Sequence, residues 1–315
     1  MNRTAAMTRK NYPLKRSLWE RICQYRYMYL FLLPAIIWYV VFAYGPIYGL
    51  QIAFKDFKIA KGIAGSQWVG LEYFEKMFKD LTFWRATWNT IYISALKLVF
   101  VAPSGLVLAI GLNEVFNRRY KGLVSSITML PHFFSWVIIS SILVQILSPS
   151  SGMVNAIIQF FGGQPVYFLG RSDWFMFWVV ASDVWESAGW NSIIFLAAIG
   201  GIAPDLYEAA QLDGAGRWKQ LTRITIPCIA GTIVVVMILK VGSMMNAGFD
   251  QVFNLYNDAV MSNADILDTY VYRLGIKSGK FSYSTAVGLF KNVINLALVL
   301  LTNLAAKRMG QEGLF

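Results

Sequence analysis

Apolar residues gather along this chain in six long stretches, near 28–50, 88–112, 123–147, 174–200, 227–248 and 285–306, separated by segments rich in charge, glycine and proline. A helix needs about 20 mostly apolar residues to cross the ~30 Å hydrocarbon core of a bilayer. Each stretch is therefore predicted to be a membrane span. Between the first two, Trp68, Leu71, Phe74, Met77, Phe78, Leu81 and Trp84 recur at intervals of three and four, as on one helical face. Such a face suits the lipid headgroup layer or packing on the rest of the protein equally well. The segments 148–173 and 249–284 carry Gly, Ser, Pro and Asn at the density of turns.

The spans divide the chain into a basic segment over 1–27, a six-helix domain over 28–306 and a tail over 307–315. The apolar run after the basic segment is too long for the core of a cleaved signal, and no small-residue cleavage site follows, so it is expected to stay as the first span. Composition agrees. Of 315 residues 57% are hydrophobic and 14% charged, against roughly 25% charged in a soluble domain. The fold class is all-α, an integral membrane helical bundle in the lipid bilayer.

A net charge of +11 raises the question of nucleic acid, and its distribution answers it. With the N-terminus inside, fifteen Lys and Arg fall on cytoplasmic segments, ten in the outer loops and three within spans. This is the inside-positive bias of membrane proteins. No nucleic-acid-binding motif accompanies it, so no nucleic acid is expected as partner, and both termini are expected in the cytoplasm. Cys23 and Cys228 have no metal-ligand spacing and read as reduced bystanders.

An ionisable group at the bilayer centre costs roughly 2.5–3.5 kcal/mol on insertion scales and normally faces protein or a wet cavity. In the fourth span Asp183, Glu186, Ser187 and Trp190 fall at i, i+3, i+4 and i+7, on one helical face. Lys240, Ser243 and Met244 repeat the spacing in the fifth, Thr90, Ser94, Lys97 and Ser104 lie near one face of the second, and Lys291, Asn292 and Asn295 sit in the sixth. Pairing between helices accounts for any single group; four stripes together favour a hydrated path. Mixed hydrogen-bonding groups beside aromatic rings suit a sugar, and three lysines within spans tilt the expectation toward an anionic one. His132, after Pro131, reads as a packing or kink residue.

The chain carries no H-E-x-x-H, no G-x-S-x-G and no second histidine to complete a metal site. It is not expected to be an enzyme, nor to hold a metal or cofactor. There is also no phosphate-binding glycine loop, so any ATP and Mg would be bound by other chains.

The stretch 201–227 is polar although it lies between two spans. Pro204 and Asp205 make a helix start, "LYEAAQL" continues it, Asp213-Gly214-Ala215-Gly216 breaks it, and "RWKQLTRITIP" resumes as a basic helix up to Pro227. The result is a helix–turn–helix on the cytoplasmic face, with Ala209 and Ala210 small enough for a partner to approach closely.

Glu208-Ala209-Ala210, Gly214, Ile224 and Pro227 resemble the EAA signature of binding-protein-dependent ABC importer permeases, with Ile226 where Leu is usual. "WVGLEYF", "FWRATWNT" and "GGIAPDLYEAAQLDGAG" are similar to the carbohydrate-uptake branch, in particular its polysaccharide and oligosaccharide permeases. The resemblance extends from about Tyr27 onward. It implies a type I ABC importer permease fold in the bacterial cytoplasmic (inner) membrane, with six transmembrane helices and a cytoplasmic coupling helix. The implied partners are a second permease as heterodimer, two ATPase subunits and an extracytoplasmic solute-binding protein. Coupling to the ATPase would fall to Glu208, Ala209, Ala210, Asp213, Gly214, Ala215, Gly216, Ile224 and Pro227. The family's substrate contacts, carried over through the motif, land on Asp183, Glu186, Ser187, Trp190, Lys240, Ser243 and Met244. Their charges point to an acidic oligosaccharide such as an alginate or pectin fragment. A neutral oligosaccharide remains the alternative, and from a different class an ion-coupled secondary transporter using Asp183 and Glu186.

Overall fold

The computed structural model describes residues 24–308 and 310, so the expectations for Cys23, for most of the basic segment and for most of the tail lie outside the described residues. The chain forms two compact units, Met1–Gln51 and Ile52–Phe315. In the first, the described residues belong mostly to helix α1 (Arg26–Phe54), whose apolar window has no buried residue. A helix apolar on all sides has the character of a membrane span.

The longer helices of the second unit are α2 (Glu72–Lys79), α3 (Leu81–Asn113), α4 (Arg118–Met129), α5 (Trp136–Ile146), α6 (Met153–Phe160), α7 (Ser172–Gly200), α8 (Pro204–Leu212), α9 (Arg217–Cys228), α10 (Ala230–Gly242), α11 (Phe249–Leu255), α12 (Leu267–Tyr272) and α13 (Phe281–Arg308). By length and composition α1, α3 and α13 can each cross a membrane, and three bent pairs bring the number to the six that the apolar stretches predict.

The bends correct two of those expectations. The stretch 123–147 is a broken span: after α4 a tight turn over Leu130–Phe133 leads to a 100° change of direction before α5. Pro131 has no N–H to continue the helical ladder, and Phe134 and Ser135 are extended, with ψ 141° and 151°. The fifth stretch is also shorter than 227–248. α9 meets α10 at 62°, and α10 ends at Gly242, where the Ser243 hydroxyl donates back to the carbonyls of Leu239 and Lys240 and competes with the ladder.

α3 starts at Leu81 rather than 88 because Asp80 caps it, accepting from the Thr82 N–H at 2.8 Å. The other carboxylate oxygen accepts from the hydroxyls of Tyr270 at 2.6 Å and Tyr283 at 3.0 Å. Burial alone would raise the Asp80 pKa; the Tyr270 hydroxyl, with the Thr82 N–H and the Tyr283 hydroxyl, outweighs it and holds the carboxyl below the usual range.

The aromatic stripe from Trp68 to Trp84 is divided rather than carried on one helix. Trp68 lies on strand β2 (Gln67–Trp68), antiparallel to β1 (Lys55–Asp56), and stacks on Phe54 at 5.7 Å. Met77 is fully buried and Phe74 packs beside it, whereas Leu71 and Leu81 stay exposed. Packing on the protein therefore takes the middle of the stripe. The segments expected as turns contain α6, α11 and α12, whose connections are held by side chains: buried Asn155 donates to the carbonyls of Leu147, Ser148 and Val166 and accepts from the Val166 N–H at 2.7 Å.

In a membrane, helices associate by close packing of small residues more than by hydrophobic burial, and α7 does so on two sides. A Cβ built on Gly105 of α3 would meet Cβ of Asn191 at 2.6 Å, and one on Gly189 would run into the Thr128 carbonyl of α4. Gly111, by contrast, faces open space. Replacing Gly189 with Ala is expected to destabilise the detergent-solubilised protein by about 1–3 kcal/mol, the cost of overpacking. Gly111→Ala should be neutral or slightly stabilising. Thermal unfolding of the two variants side by side checks this.

Candidate functional site

α3, α7 and α10 bring their polar residues together halfway along the bundle. A cavity of about 180 Å³ is walled by Ser94 and Lys97 from α3, Asp183 from α7, Lys240 from α10, and Ser243, Met244, Asn246 and Gly248 from the segment that follows. Lys97 Nζ lies 2.7 Å from Asp183 Oδ2 and also donates to Gln251 Oε1 at 2.5 Å and the Ala247 carbonyl at 2.8 Å. Fully buried Gln251 in turn donates to the Val179 carbonyl at 2.7 Å and to Ser182 Oγ at 2.9 Å. The network ties α3, α7 and α11 together.

Lys240 is different. It has no ion pair among the described residues, although it is half-buried in the same wall. Two ammonium groups therefore face one carboxylate in this wall, and the other acid that acts on Lys240, Glu186, lies outside the wall and is paired with His132. Ser94 adds a buried hydroxyl with no hydrogen-bond partner among the described residues. A ligand offering oxygen acceptors and a negative charge would satisfy both groups.

Of the seven path residues expected from the sequence, the structure places Asp183, Lys240, Ser243 and Met244 on this cavity and Glu186, Ser187 and Trp190 outside its wall. Glu186 Oε1 lies 2.9 Å from His132 Nδ1, and the His132 ring stacks on Trp190 with centroids 4.6 Å apart. These three hold the broken third span against α7. Ser187 donates to the Asp183 carbonyl at 2.7 Å. Lys291 is paired with Asp268, and the Asn295 side chain accepts from the Met245 N–H at 3.0 Å. So only one of the three span lysines supports the argument for an anionic ligand. Gln251, Asn246 and Gly248 were not singled out by the sequence pattern. Gln251 lies in a segment that reads as turns, and helical spacing cannot show that it folds back onto Lys97.

At the end of α7 the chain bends by 70° into α8, with Pro204 in its first turn and Asp205 behind it. α8 ends in a Schellman arrangement: the Gly214 N–H bonds the Gln211 carbonyl at 3.0 Å and the Ala215 N–H bonds the Ala210 carbonyl at 2.8 Å. Gly214 takes φ +73°, which side-chain-bearing residues adopt only with strain. After Asp213 at the C-cap, Gly216 starts α9. The two helices are joined by Tyr207 and Thr225, whose hydroxyls are 2.9 Å apart, and by Gln220 donating to the Ala215 carbonyl at 2.8 Å.

The outward side of this loop holds exposed Glu208 and Ala209, with no ion pair to Glu208 among the described residues. Ala210 and Ile224 are half-buried, and Pro227 stands in the bend before α10. Leu212 and Trp218 are 90% and 77% exposed. Arg217 lies 3.7 Å from Glu114 at the end of α3 and over the Phe116 ring at 5.1 Å. An apolar, unpaired face of this kind on a stiff support has the make-up of a docking surface.

Residues 102–311 match a family described as the binding-protein-dependent transport system inner membrane component. The polygalacturonan/rhamnogalacturonan transport system permease protein YteP of Bacillus subtilis (strain 168) is 43% identical over 301 residues, covering 96% of this chain and 94% of that protein. Protein LplB of the same organism is 42% identical over 302 residues, covering 96% and 92%. Among solved structures, a chain of a bacterial alginate ABC transporter in complex with an alginate pentasaccharide-bound periplasmic protein superposes with a TM-score of 0.88 at 39% identity, covering 95% of this chain and 100% of that one. A second structure, of a bacterial ABC transporter involved in the import of the acidic polysaccharide alginate, gives 0.86 at 40% identity, covering 92% and 98%. The six-span arrangement, the EAA loop and these likenesses agree, and the self-sufficient ion-coupled carrier is set aside: the chain belongs to the binding-protein-dependent transport system inner membrane components, as a permease subunit.

Proposed function

We propose that this chain is one of two permease subunits of an ATP-driven importer and that its cargo is an acidic oligosaccharide. The observation that carries the cargo reading is the excess of ammonium over carboxylate groups in the wall of the mid-bundle cavity, where Lys240 has no ion pair among the described residues. Relatives named for polygalacturonan and alginate transport support it, since both polymers carry carboxylates. A binding protein outside delivers the sugar.

Two ATPase subunits bind and hydrolyse ATP with Mg, and one of them receives the α8–α9 loop, which places the loop and both termini in the cytoplasm. Glu208, Ala209 and Ala210 contact the ATPase, and Gly214 holds the turn. The chain connectivity makes the coupling mechanical: α7, which carries Asp183, runs directly into α8, and α9 runs directly into α10, which carries Lys240. A push on the loop therefore moves the two walls of the cavity relative to each other. The Tyr207–Thr225 contact keeps the loop from absorbing the push.

Both halves are tested on the assembled complex in proteoliposomes supplied with ATP. Glu208→Arg and Gly214→Trp are expected to leave the complex folded and cut sugar uptake per ATP at least about tenfold, equivalent to about 1.4 kcal/mol of coupling. Wild-type coupling in both would refute the docking assignment. Lys240→Ala should raise the half-saturating concentration for a uronate oligosaccharide by about ten- to a hundredfold, the range for losing a charge-assisted hydrogen bond, and change uptake of a neutral one little. Equal effects on the two sugars would remove the charge argument.

A further inference from the structure

Three cavities of the second unit share walls. The outermost, of about 660 Å³, is bounded by Asp56, Tyr73, Lys76, Asp80, Lys280 and Phe281 among others. Phe281 also bounds a second of about 650 Å³, which extends to Asn246 and Gly248. Those two residues belong in turn to the wall of the mid-bundle cavity with Lys97, Asp183 and Lys240. The direction of the series follows from α3. Asp80 caps its first turn, and Glu114 at its other end touches Arg217 of the coupling loop. About 50 Å of helix separate them at 1.5 Å per residue. The outer cavity thus lies on the far side of the bundle from the loop.

Along this series four carboxylates stand in the walls, and each has a partner. Asp56 accepts from the Tyr73 hydroxyl at 3.0 Å, Asp80 from Tyr270 and Tyr283, Asp268 pairs with Lys291, and Asp183 pairs with Lys97. Arg273 is anchored on Asp265 by bonds of 2.6 and 3.0 Å. Of the lysines in these walls, two have no ion pair among the described residues: Lys280 in the outer wall and Lys240 in the inner. A passing anion would therefore meet Asp268 and Asp183 neutralised by lysines, Asp56 and Asp80 ionised but engaged by tyrosine hydroxyls, and at each end an ammonium with no ion pair. The outer cavity also offers what a sugar ring requires, phenol hydroxyls beside the edge-to-face pair Phe57 and Phe281, 5.8 Å apart. Its size is within the ~300–1,000 Å³ of small-molecule sites.

We propose that the outer cavity is a first station for the cargo within this chain, where Lys280 receives a carboxylate of the leading sugar before the oligosaccharide passes through the second cavity to Lys240. This rests on the reading of the cargo as an acidic oligosaccharide.

The test uses the assembled complex with its binding protein, and pentagalacturonate as probe. Lys280→Glu reverses the charge, and Thr82→Trp, at an exposed position in the same wall, fills the cavity without touching a charge. Both are expected to raise the half-saturating concentration for import about tenfold, Lys280→Arg to restore it, and stimulation of ATP hydrolysis by the sugar-free binding protein to stay at the wild-type level. If the wild type imports the probe and both Lys280→Glu and Thr82→Trp do so with unchanged half-saturation, the station is refuted. Loss of the stimulation in Lys280→Glu would assign that lysine to protein docking and overturn the proposal as well. A wild type that imports neutral but no acidic oligosaccharides would instead overturn the cargo reading, and this inference with it.

Discussion

A charge held among apolar helices has to bring its own counter-charge, and the interior of this permease is arranged by that requirement. Lys97 is met by Asp183, by Gln251 and by a backbone carbonyl, so α3, α7 and the chain after α10 converge on one ammonium group. Asp268 and Lys291 fasten α12 to α13 in the same way. Breaking such a pair from one side leaves a buried charge uncompensated and costs about 3–5 kcal/mol. Each pair therefore specifies which helices must be neighbours. Lys240 has no such pair among the described residues, only the more distant field of Glu186, which is bonded to His132, and this leaves its ammonium N–H groups to offer a ligand.

The same helices that hold the charges also hold the surface loop. The chain goes from Asp183 along α7 into α8, turns at Gly214, and returns through α9 to Lys240 on α10. Hydrogen bonds inside the loop hold its two helices together, and the chain bends by 70° and 62° at its two ends. Proline takes part at both ends, where a missing N–H is tolerated: Pro204 in the first turn of α8, Pro227 at the bend into α10.

Much of this was legible in the residue pattern. The count of spans follows from the apolar stretches because hydrocarbon thickness sets their length. The loop was legible in still more detail, since its signals are local: Pro204 and Asp205 start a helix, and Gly214 ends it by a conformation that glycine takes with least strain. The breaks inside spans were less visible. Pro131 marks the third, but a proline can kink a membrane helix slightly or end it, and the 100° turn is completed by the extended backbone of Phe134 and Ser135, which residue pattern does not reveal. The stripe from Trp68 to Trp84 misleads for a related reason. Its period is helical throughout, yet Asp80 inserts a cap and Trp68 is drawn into a strand pair against Lys55.

By itself the sequence determined the class of molecule, the number of its spans, the helix–turn–helix over 201–227 and the residue types available to a ligand, because these depend on composition and on interactions within about one helical turn. The tertiary structure alone decided which charges cancel. Asp183, Glu186 and Trp190 share a helical face and look equivalent in the sequence. Their partners Lys97 and His132 come from elements 86 and 54 residues distant in the chain, so Asp183 borders the cavity while Glu186 and Trp190 hold a broken span. Helical periodicity says where a side chain points along its own helix; only the packing of several helices says what it meets there.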